Sequence, residues 1–148
     1  MKPSVFEEWL ENADRRPARF RPLRDATHRA RFTGPCGDTA EFFLRIDAGR
    51  IRRAAYLVEG CAASVACCDA AARLAEGKTP AEARAVTPGA VLEKAGPIPP
   101  DHHHCARLAV ETLRRALDAP LPPRRPLLQR LRTLFGKQPS NRNGGTTT

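Results

Sequence analysis

The sequence predicts an α+β fold in which helices pack on one face of a three-stranded antiparallel sheet. Apolar residues alternate along 39–46, Asp47-Ala48-Gly49 is a turn by composition, and 51–58 returns as a strand, which together predict a β-hairpin. Segments rich in alanine and leucine follow at 61–76 and 106–119 with helical spacing. Strands that precede helices in this order favour an α+β class.

A third strand is predicted at 27–32, although its alternation is weak. Residues 34–38 read Gly-Pro-Cys-Gly-Asp, and this composition predicts a tight turn into the hairpin. After the hairpin, Gly60 ends the sheet and Gly77 closes the alanine-rich helix. The first strand therefore joins the hairpin through a short turn that contains a cysteine.

Two short helices are predicted by Thr79-Pro80 and Thr87-Pro88, since each pair offers an N-cap followed by proline at the first helical position. The last long helix follows Pro99-Pro100, and Asp101 is its expected N-cap. His104 and Cys105 would then lie in the first turn, where the helix dipole favours a thiolate.

Composition divides the chain into three parts. Residues 1–26 hold a short amphipathic helix at 4–13 and a basic connector that is broken by prolines. Residues 27–119 form the globular domain. Residues 120–148 continue as a basic amphipathic helix at 126–136, and the remainder has the composition of a disordered tail.

The net charge of +9 comes mostly from the C-terminal tail. Residues 120–148 carry six basic residues and no acidic one, so the body carries only +3 and is not expected to bind nucleic acid. Packing on the body, binding an acidic partner and touching a membrane surface are all open for the tail helix. The first two are favoured, because one short basic helix is a weak membrane anchor.

No apolar segment approaches the ~20 residues that a membrane span needs, and no signal peptide precedes the cysteines. The sequence therefore predicts a cytoplasmic protein in a reducing compartment, where five cysteines favour metal or sulfur chemistry over disulfides.

Three cysteines fall at predicted element ends, namely Cys36, Cys61 and Cys105. If the two long helices begin at the same end of the hairpin, these thiols converge, and Asp38 and His104 arrive with them. Such a donor set suits Zn²⁺ or a [2Fe–2S] cluster. No pair has CxxC spacing, so composition alone weighs a metal or sulfur site evenly against scattered reduced cysteines.

The remaining cysteines and histidines receive other interpretations. Cys67 and Cys68 are predicted core residues, since free cysteine is small and often buried. His102 and His103 are interpreted as solvated residues of the helix start that could supply spare donors, and His28 as a surface residue.

Four motifs in register resemble the IscU/NifU-type family of iron–sulfur cluster assembly scaffolds over residues 27–118. They are Cys36-Gly37-Asp38 before the hairpin, Gly60-Cys61 at the junction from sheet to helix, Gly77-Lys78 with Glu82-Ala83, and Ile98-Pro99-Pro100 running to His104-Cys105. The resemblance implies a compact α+β scaffold and sulfur acceptor that is not an enzyme, although sulfurtransferase activity stays open.

The resemblance also implies a site and partners. Cys36, Cys61 and Cys105 would be cluster ligands and sulfur acceptors, Asp38 the carboxylate that keeps the cluster labile, and His104 an additional ligand. A cysteine desulfurase would deliver persulfide sulfur, Fe²⁺ would enter, and a [2Fe–2S] cluster would pass to apo iron–sulfur proteins. Zn²⁺ could occupy the same ligands.

The chain also departs from the family pattern. Ile98-Pro99-Pro100 is the remnant of a segment that an Hsp70-type chaperone recognises in the family. Here Asp101-His102 replaces Val-Lys, which puts that contact in doubt. The zinc-containing SufU branch usually has an insertion between the second and third cysteines and lacks the histidine, so the chain leans toward the IscU/NifU branch. A zinc-bound sulfur acceptor and a basic interaction module acting through the tail are the competing functions.

Overall fold

A computed structural model describes residues 17–123 together with Leu128, Leu131, Arg132 and Leu134. The predicted helix at 4–13 lies outside these residues. The elements follow in the order β1 (His28–Thr33), β2 (Thr39–Asp47), β3 (Arg50–Glu59), α1 (Ala62–Ala75), α2 (Pro80–Arg84), α3 (Pro88–Ala95), a 3₁₀ turn (Pro100–His102) and α4 (His104–Leu117).

The three strands form one antiparallel sheet in the order β1-β2-β3. This confirms the predicted α+β class. β1 lies one residue later than the alternation suggested, and Thr33 pairs with Thr39 across the turn that holds Cys36. A register shift between Arg45 and Ile46 marks a bulge near the far end of the hairpin.

The two faces of the sheet are covered differently. Ala40, Phe42 and Leu44 of β2 are fully buried in the main core, which they share with the long helices. On the other face, Phe43 packs with Leu23 of the connector in a small second cluster. The helices thus cover one face, as predicted, while the connector covers part of the other.

Helix α1 is buried along most of its length, because alanine side chains allow neighbouring elements to approach closely. Asp69 is the buried charged residue of this helix. Its Oδ1 accepts a hydrogen bond from the Tyr56 hydroxyl at 2.8 Å, and its Oδ2 accepts one from Arg73 at 2.8 Å. A buried carboxylate with two such partners does not carry an unpaired charge.

The predicted helix boundaries are confirmed where capping chemistry is present. Thr79 forms a capping box with Glu82, and the Thr87 side chain accepts from the backbone N–H of Ala90. Gly77 follows the end of α1 with φ of +84°, a conformation that glycine adopts without strain.

The expectation that Asp101 caps the last helix is wrong. The chain first makes the 3₁₀ turn, in which the backbone N–H groups of His102 and His103 bond to the carbonyls of Pro99 and Pro100. Helix α4 then begins at His104, and no side chain caps it. The two prolines set this turn, because they fix φ and offer carbonyls without competing N–H groups.

The described part of the connector packs on the sheet edge. Phe20 forms a bridge to Tyr56 of β3, and the Arg19 guanidinium pairs with Glu76 at 2.7 Å. In the tail, the described positions are helical, but the side chains of Leu128 and Leu134 are 74% and 75% exposed. Within the described part of the chain, no helix is long and apolar enough to cross a membrane.

Candidate metal centre

The candidate site lies where several elements begin or end at one edge of the domain. Cys36 is in the turn between β1 and β2, Asp38 directly precedes β2, and Cys61 is the N-cap residue of α1. Cys105 is the second residue of α4, and the 3₁₀ turn before α4 places His102 beside it. Reactive side chains from several loops therefore lie at this edge, and the sheet and two helices hold these loops in place.

Cys61 and Cys105 form a close thiol pair, with 3.7 Å between their sulfurs. Cys61 is partly exposed, whereas Cys105 is fully buried. Burial raises the pKa of the Cys105 thiol to about 12, against a weaker opposing effect from the Ser64 hydrogen bond. The expectation that the helix start would favour a thiolate is therefore wrong for the free residue, because desolvation outweighs the helix dipole.

Ser64 connects this thiol pair to Asp38. Its hydroxyl donates to Asp38 Oδ2 at 2.6 Å and lies 3.2 Å from the sulfur of Cys105 and 3.6 Å from that of Cys61. Ser64 is fully buried in the first turn of α1. One side chain therefore contacts three of the residues that the sequence analysis assigned to the site.

Asp38 is held by two further features. The backbone N–H of Cys61 donates to its Oδ2 at 3.3 Å, and Gly60 packs so closely that an added Cβ would lie 2.5 Å from its Cγ. The Ser64 hydrogen bond is the main cause that lowers the pKa of Asp38, and the bonds from Cys61 and the charge of His104 act in the same direction. The carboxylate is thus fixed in ionised form beside the thiols.

The three consecutive histidines have three different environments. His102 places Nδ1 3.8 Å from the Cys61 sulfur, and His104 places Nε2 3.7 Å from the Cys105 sulfur. His103 instead bonds through Nε2 to the carbonyl of Ile98 at 2.9 Å. His102 and His104 therefore approach the thiol pair, whereas His103 secures the turn.

Within the described part of the chain, one set of three residues has ligand atoms that all lie within 4.8 Å of one another. It consists of Cys61, His102 and Cys105. Cys36 does not belong to this set. Its side chain is exposed and, with His104, lines an apolar cavity of about 670 Å³ beside α4. The structure thus brings together two of the three cysteines assigned to the site, and Ser64 connects them to Asp38. Cys36 instead lines the neighbouring cavity.

Cys67 and Cys68 have the core positions that the sequence predicted. Both are fully buried in α1. Desolvation raises the pKa of Cys67 to about 12 and raises that of Cys68 well above its ordinary value. These thiols are neutral, packed side chains.

Ser64 was missed from the sequence, and His102 was interpreted as a solvated residue that could supply a spare donor. Ser64 lies three residues after Cys61, and His102 lies three residues before Cys105, a spacing that brings side chains to one side of a helical turn. Both spacings can be seen in the sequence. The direction in which the 3₁₀ turn orients the His102 side chain cannot be predicted from it.

The donor set suits soft and borderline metals. Thiolates and imidazole bind iron and zinc, while a carboxylate offers a harder, weaker partner for the same ions. The set of Cys61, His102 and Cys105 could therefore bind a metal ion.

The fold and the site define a class of small α+β proteins. In this class, thiols, imidazole and a carboxylate lie together at one edge of the domain. The model of the NifU-like N terminal domain matches residues 23–120, and the chain belongs to this family. This family assignment agrees with the four motifs on which the resemblance was based.

Two relatives illustrate the similarity. The chain is 38% identical over 82 residues to the iron–sulfur cluster assembly scaffold protein IscU 1 of Archaeoglobus fulgidus, which covers 55% of this chain and 54% of that protein. It is 39% identical over 85 residues to the bifunctional protein NifU/MnmA of Rubrobacter xylanophilus, covering 56% of this chain and 17% of that protein. The match thus spans about half the length of the first of these relatives.

Solved structures share the fold. A putative iron–sulfur cluster assembly scaffold protein for the SUF system from Fervidobacterium islandicum superposes with a TM-score of 0.57 at 19% identity, over 76% of this chain and 96% of that one. The N-terminal part of a NifU-like protein from Brucella abortus gives 0.57 at 21% identity, over 78% and 91%. At this level of identity the likeness concerns the fold.

Proposed function

We propose that this protein is a scaffold on which a labile [2Fe–2S] cluster is assembled from iron and persulfide sulfur and then transferred. Cys36, Cys61 and Cys105 are the proposed ligands and sulfur acceptors, with Asp38 and His104 completing the set. The observation that carries the proposal is the Cys61–Cys105 thiol pair, joined through Ser64 to an ionised carboxylate.

Each part of this arrangement suits the proposed task. A scaffold thiolate attacks the outer sulfur of a persulfide on a cysteine desulfurase, the S–S bond breaks, and the desulfurase thiolate leaves. The transferred sulfur becomes sulfide after an external donor supplies two electrons. Asp38 then serves release, because a hard carboxylate beside soft thiolates is a weaker cluster ligand than a fourth thiolate.

The proposed partners follow from this chemistry. A cysteine desulfurase supplies sulfur, and apo iron–sulfur proteins receive the cluster. An Hsp70-type contact at 98–100 is not part of the proposal. Ile98 is buried, and its carbonyl is bonded to the His103 ring.

Anaerobic reconstitution tests the proposal. The full chain is incubated with Fe²⁺, cysteine, a cysteine desulfurase and a reductant, and visible absorption and circular dichroism are recorded. A [2Fe–2S] spectrum that decays when an apo acceptor is added is the expected result. An intact fold without this spectrum would overturn the proposal.

A zinc-bound sulfur acceptor is the second candidate function, because the compact Cys61–His102–Cys105 set also suits tetrahedral Zn²⁺. Metal analysis of protein purified anaerobically separates the two. Stoichiometric zinc that persists through the desulfurase reaction, together with persulfide on the chain, favours the acceptor. Iron and acid-labile sulfide in equal amounts favour the scaffold.

The basic tail is a further candidate for binding an acidic partner. Most of its residues lie outside the part of the chain that the structure describes. Deleting residues 124–148 should abolish binding to an acidic partner if the tail is the interaction module. The same deletion should leave cluster assembly unchanged if the tail is an accessory.

A further inference from the structure

We propose that His102 is a metal ligand, and that Cys61, His102 and Cys105 form a mononuclear site for a borderline divalent cation such as Zn²⁺. His104 lies outside this site. The inference deepens the proposed function, since it assigns a further ligand and a second loading state to the same edge of the domain. It rests on that function only for its biological use, because the metal site can be measured by itself.

Two distances within the set are close to those of tetrahedral coordination, and all three ligand atoms lie within 4.8 Å of one another. Zn–S bonds of about 2.3 Å and Zn–N bonds of about 2.0 Å place neighbouring tetrahedral ligand atoms roughly 3.5 to 3.8 Å apart. The sulfurs of Cys61 and Cys105 are 3.7 Å apart, and His102 Nδ1 is 3.8 Å from the Cys61 sulfur. Two packed thiols would give a similar S–S distance, so the imidazole is what distinguishes a ligand set from a packing contact.

The outward nitrogen of His102 provides a second, independent observation. Nδ1 faces the thiols, while Nε2 lies 3.8 Å from Oδ2 of Asp101. Metal-bound histidines typically direct their other ring N–H to a carboxylate, which fixes the tautomer and raises the basicity of the ligand. At 3.8 Å the contact is longer than a hydrogen bond, so Asp101 would have to move closer to take this role when a metal binds.

The neighbouring histidines lie outside the compact three-residue set. His103 is bonded to the carbonyl of Ile98, and His104 reaches Cys105 while lining the cavity that holds Cys36. The rings of His102 and His104 are 6.2 Å apart between centroids. His102 therefore approaches the Cys61 sulfur, whereas His104 approaches the Cys105 sulfur and also lines the cavity with Cys36.

Binding would replace the two thiol protons by one metal ion, with both protons released to solvent. Three protein ligands leave a fourth position for water or a sulfur ligand. Asp38 is next to the site, but its Oδ2 is engaged by Ser64 and the Cys61 N–H. The site can thus hold a metal before the carboxylate takes part.

Cobalt titration of the full, reduced chain tests the assignment. Co²⁺ bound to thiolates gives a charge-transfer band and intense visible bands, and competition with a chelator yields its affinity. His102→Gln is expected to weaken Co²⁺ binding by at least about 10-fold, and Asp101→Asn by about 10-fold through the lost carboxylate. His28→Gln, a substitution in β1, is the matched control.

His104→Gln decides between the two imidazoles. Wild-type cobalt affinity in this variant, combined with the loss in His102→Gln, supports the proposal. Wild-type affinity in His102→Gln overturns it, and so does a loss confined to His104→Gln. X-ray absorption of zinc-loaded His104→Gln gives a readout that does not depend on removing His102. Two sulfurs and one imidazole around zinc support the assignment, and a shell without imidazole contradicts it.

The inference and the proposed function fail in different experiments. If cobalt requires His102 but no [2Fe–2S] spectrum develops on reconstitution, the scaffold function falls and the metal site stands. If the cluster assembles while His102→Gln binds cobalt normally, the metal assignment falls alone.

Discussion

The domain contains two pairs of cysteines, and their neighbouring residues distinguish a candidate metal site from the hydrophobic core. Cys61 and Cys105 meet at the ends of their helices, beside Ser64, His102 and His104. Cys67 and Cys68 lie in the interior of α1 among alanines, fully buried. Burial raises the pKa of the Cys105 thiol in one pair and of the Cys67 thiol in the other. What distinguishes Cys61 and Cys105 is therefore the ligand donors beside them.

The largest expected difference between the two cysteine pairs is in stabilisation by zinc, and substitutions in each pair test it. Saturating Zn²⁺ at about 100 times its Kd should stabilise the wild type by about 2.7 kcal/mol. Cys61→Ser or Cys105→Ser should remove this gain, while Cys67→Ala should keep it despite a lower starting stability. Urea unfolding with and without zinc measures both effects. A full zinc gain in Cys105→Ser would show that the pair is not a metal site.

The next largest effect concerns cluster release. Asp38→Ala removes the hard ligand that weakens the proposed cluster site, so the half-life of a reconstituted cluster in the presence of an apo acceptor should lengthen by about 10-fold. Decay of the visible absorption under anaerobic conditions gives the rate. Asp47→Ala, at the far end of the hairpin, is the matched control, and equal lifetimes in both variants would remove Asp38 from the release step.

Gly60→Ala tests whether packing holds Asp38. The added methyl would overlap the carboxyl group, so the variant should lose about 1–3 kcal/mol of stability unless Asp38 moves. If Asp38 moves, cluster lifetime should shift toward that of Asp38→Ala. Gly89→Ala, where an added Cβ would make an ordinary contact 3.9 Å from the Thr87 hydroxyl, is the control. A Gly60→Ala protein with wild-type stability and wild-type lifetime would contradict the packing argument.

The smallest expected effect is on pH dependence. The folded-state pKa of Asp38 is depressed, mainly by Ser64, so its stabilising contribution is present above the unfolded pKa and lost as pH falls through the folded pKa. Ser64→Ala raises that pKa toward its ordinary value. The stability gap between wild type and variant should therefore narrow between about pH 5 and pH 2. Urea unfolding across this range measures it, and a constant gap would mean that Ser64 acts on packing alone.

Local chemistry explains how far the sequence predicted the fold. Thr79, Thr87 and Gly77 carry their signals in the residues themselves, and the helix boundaries there agree with the structure. The predicted start of α4 was wrong because Asp101 also matches the sequence pattern of an N-cap. The carbonyls of Pro99 and Pro100 instead bond the next N–H groups and turn the chain once before the helix.

The candidate site was predictable in outline, but the orientation of its individual side chains was not. Cys61 and Cys105 lie at helix starts, so the fold class alone brings them together. The orientation of Cys36 depends on a turn with a positive φ at Gly37, which spacing does not convey. His102 resembled a solvated residue because its approach to Cys61 arises from tertiary packing between segments 41 residues apart.

Native mass spectrometry of the reconstituted chain tests the central claim most directly. Full-length protein is loaded anaerobically with iron and desulfurase-derived sulfur, and the intact mass is measured alongside Cys105→Ser and Cys67→Ala. The expected result is an added mass of one [2Fe–2S] cluster per wild-type and Cys67→Ala chain, and none on Cys105→Ser. The same adduct on Cys105→Ser, or its absence from a folded wild-type chain, would contradict the account.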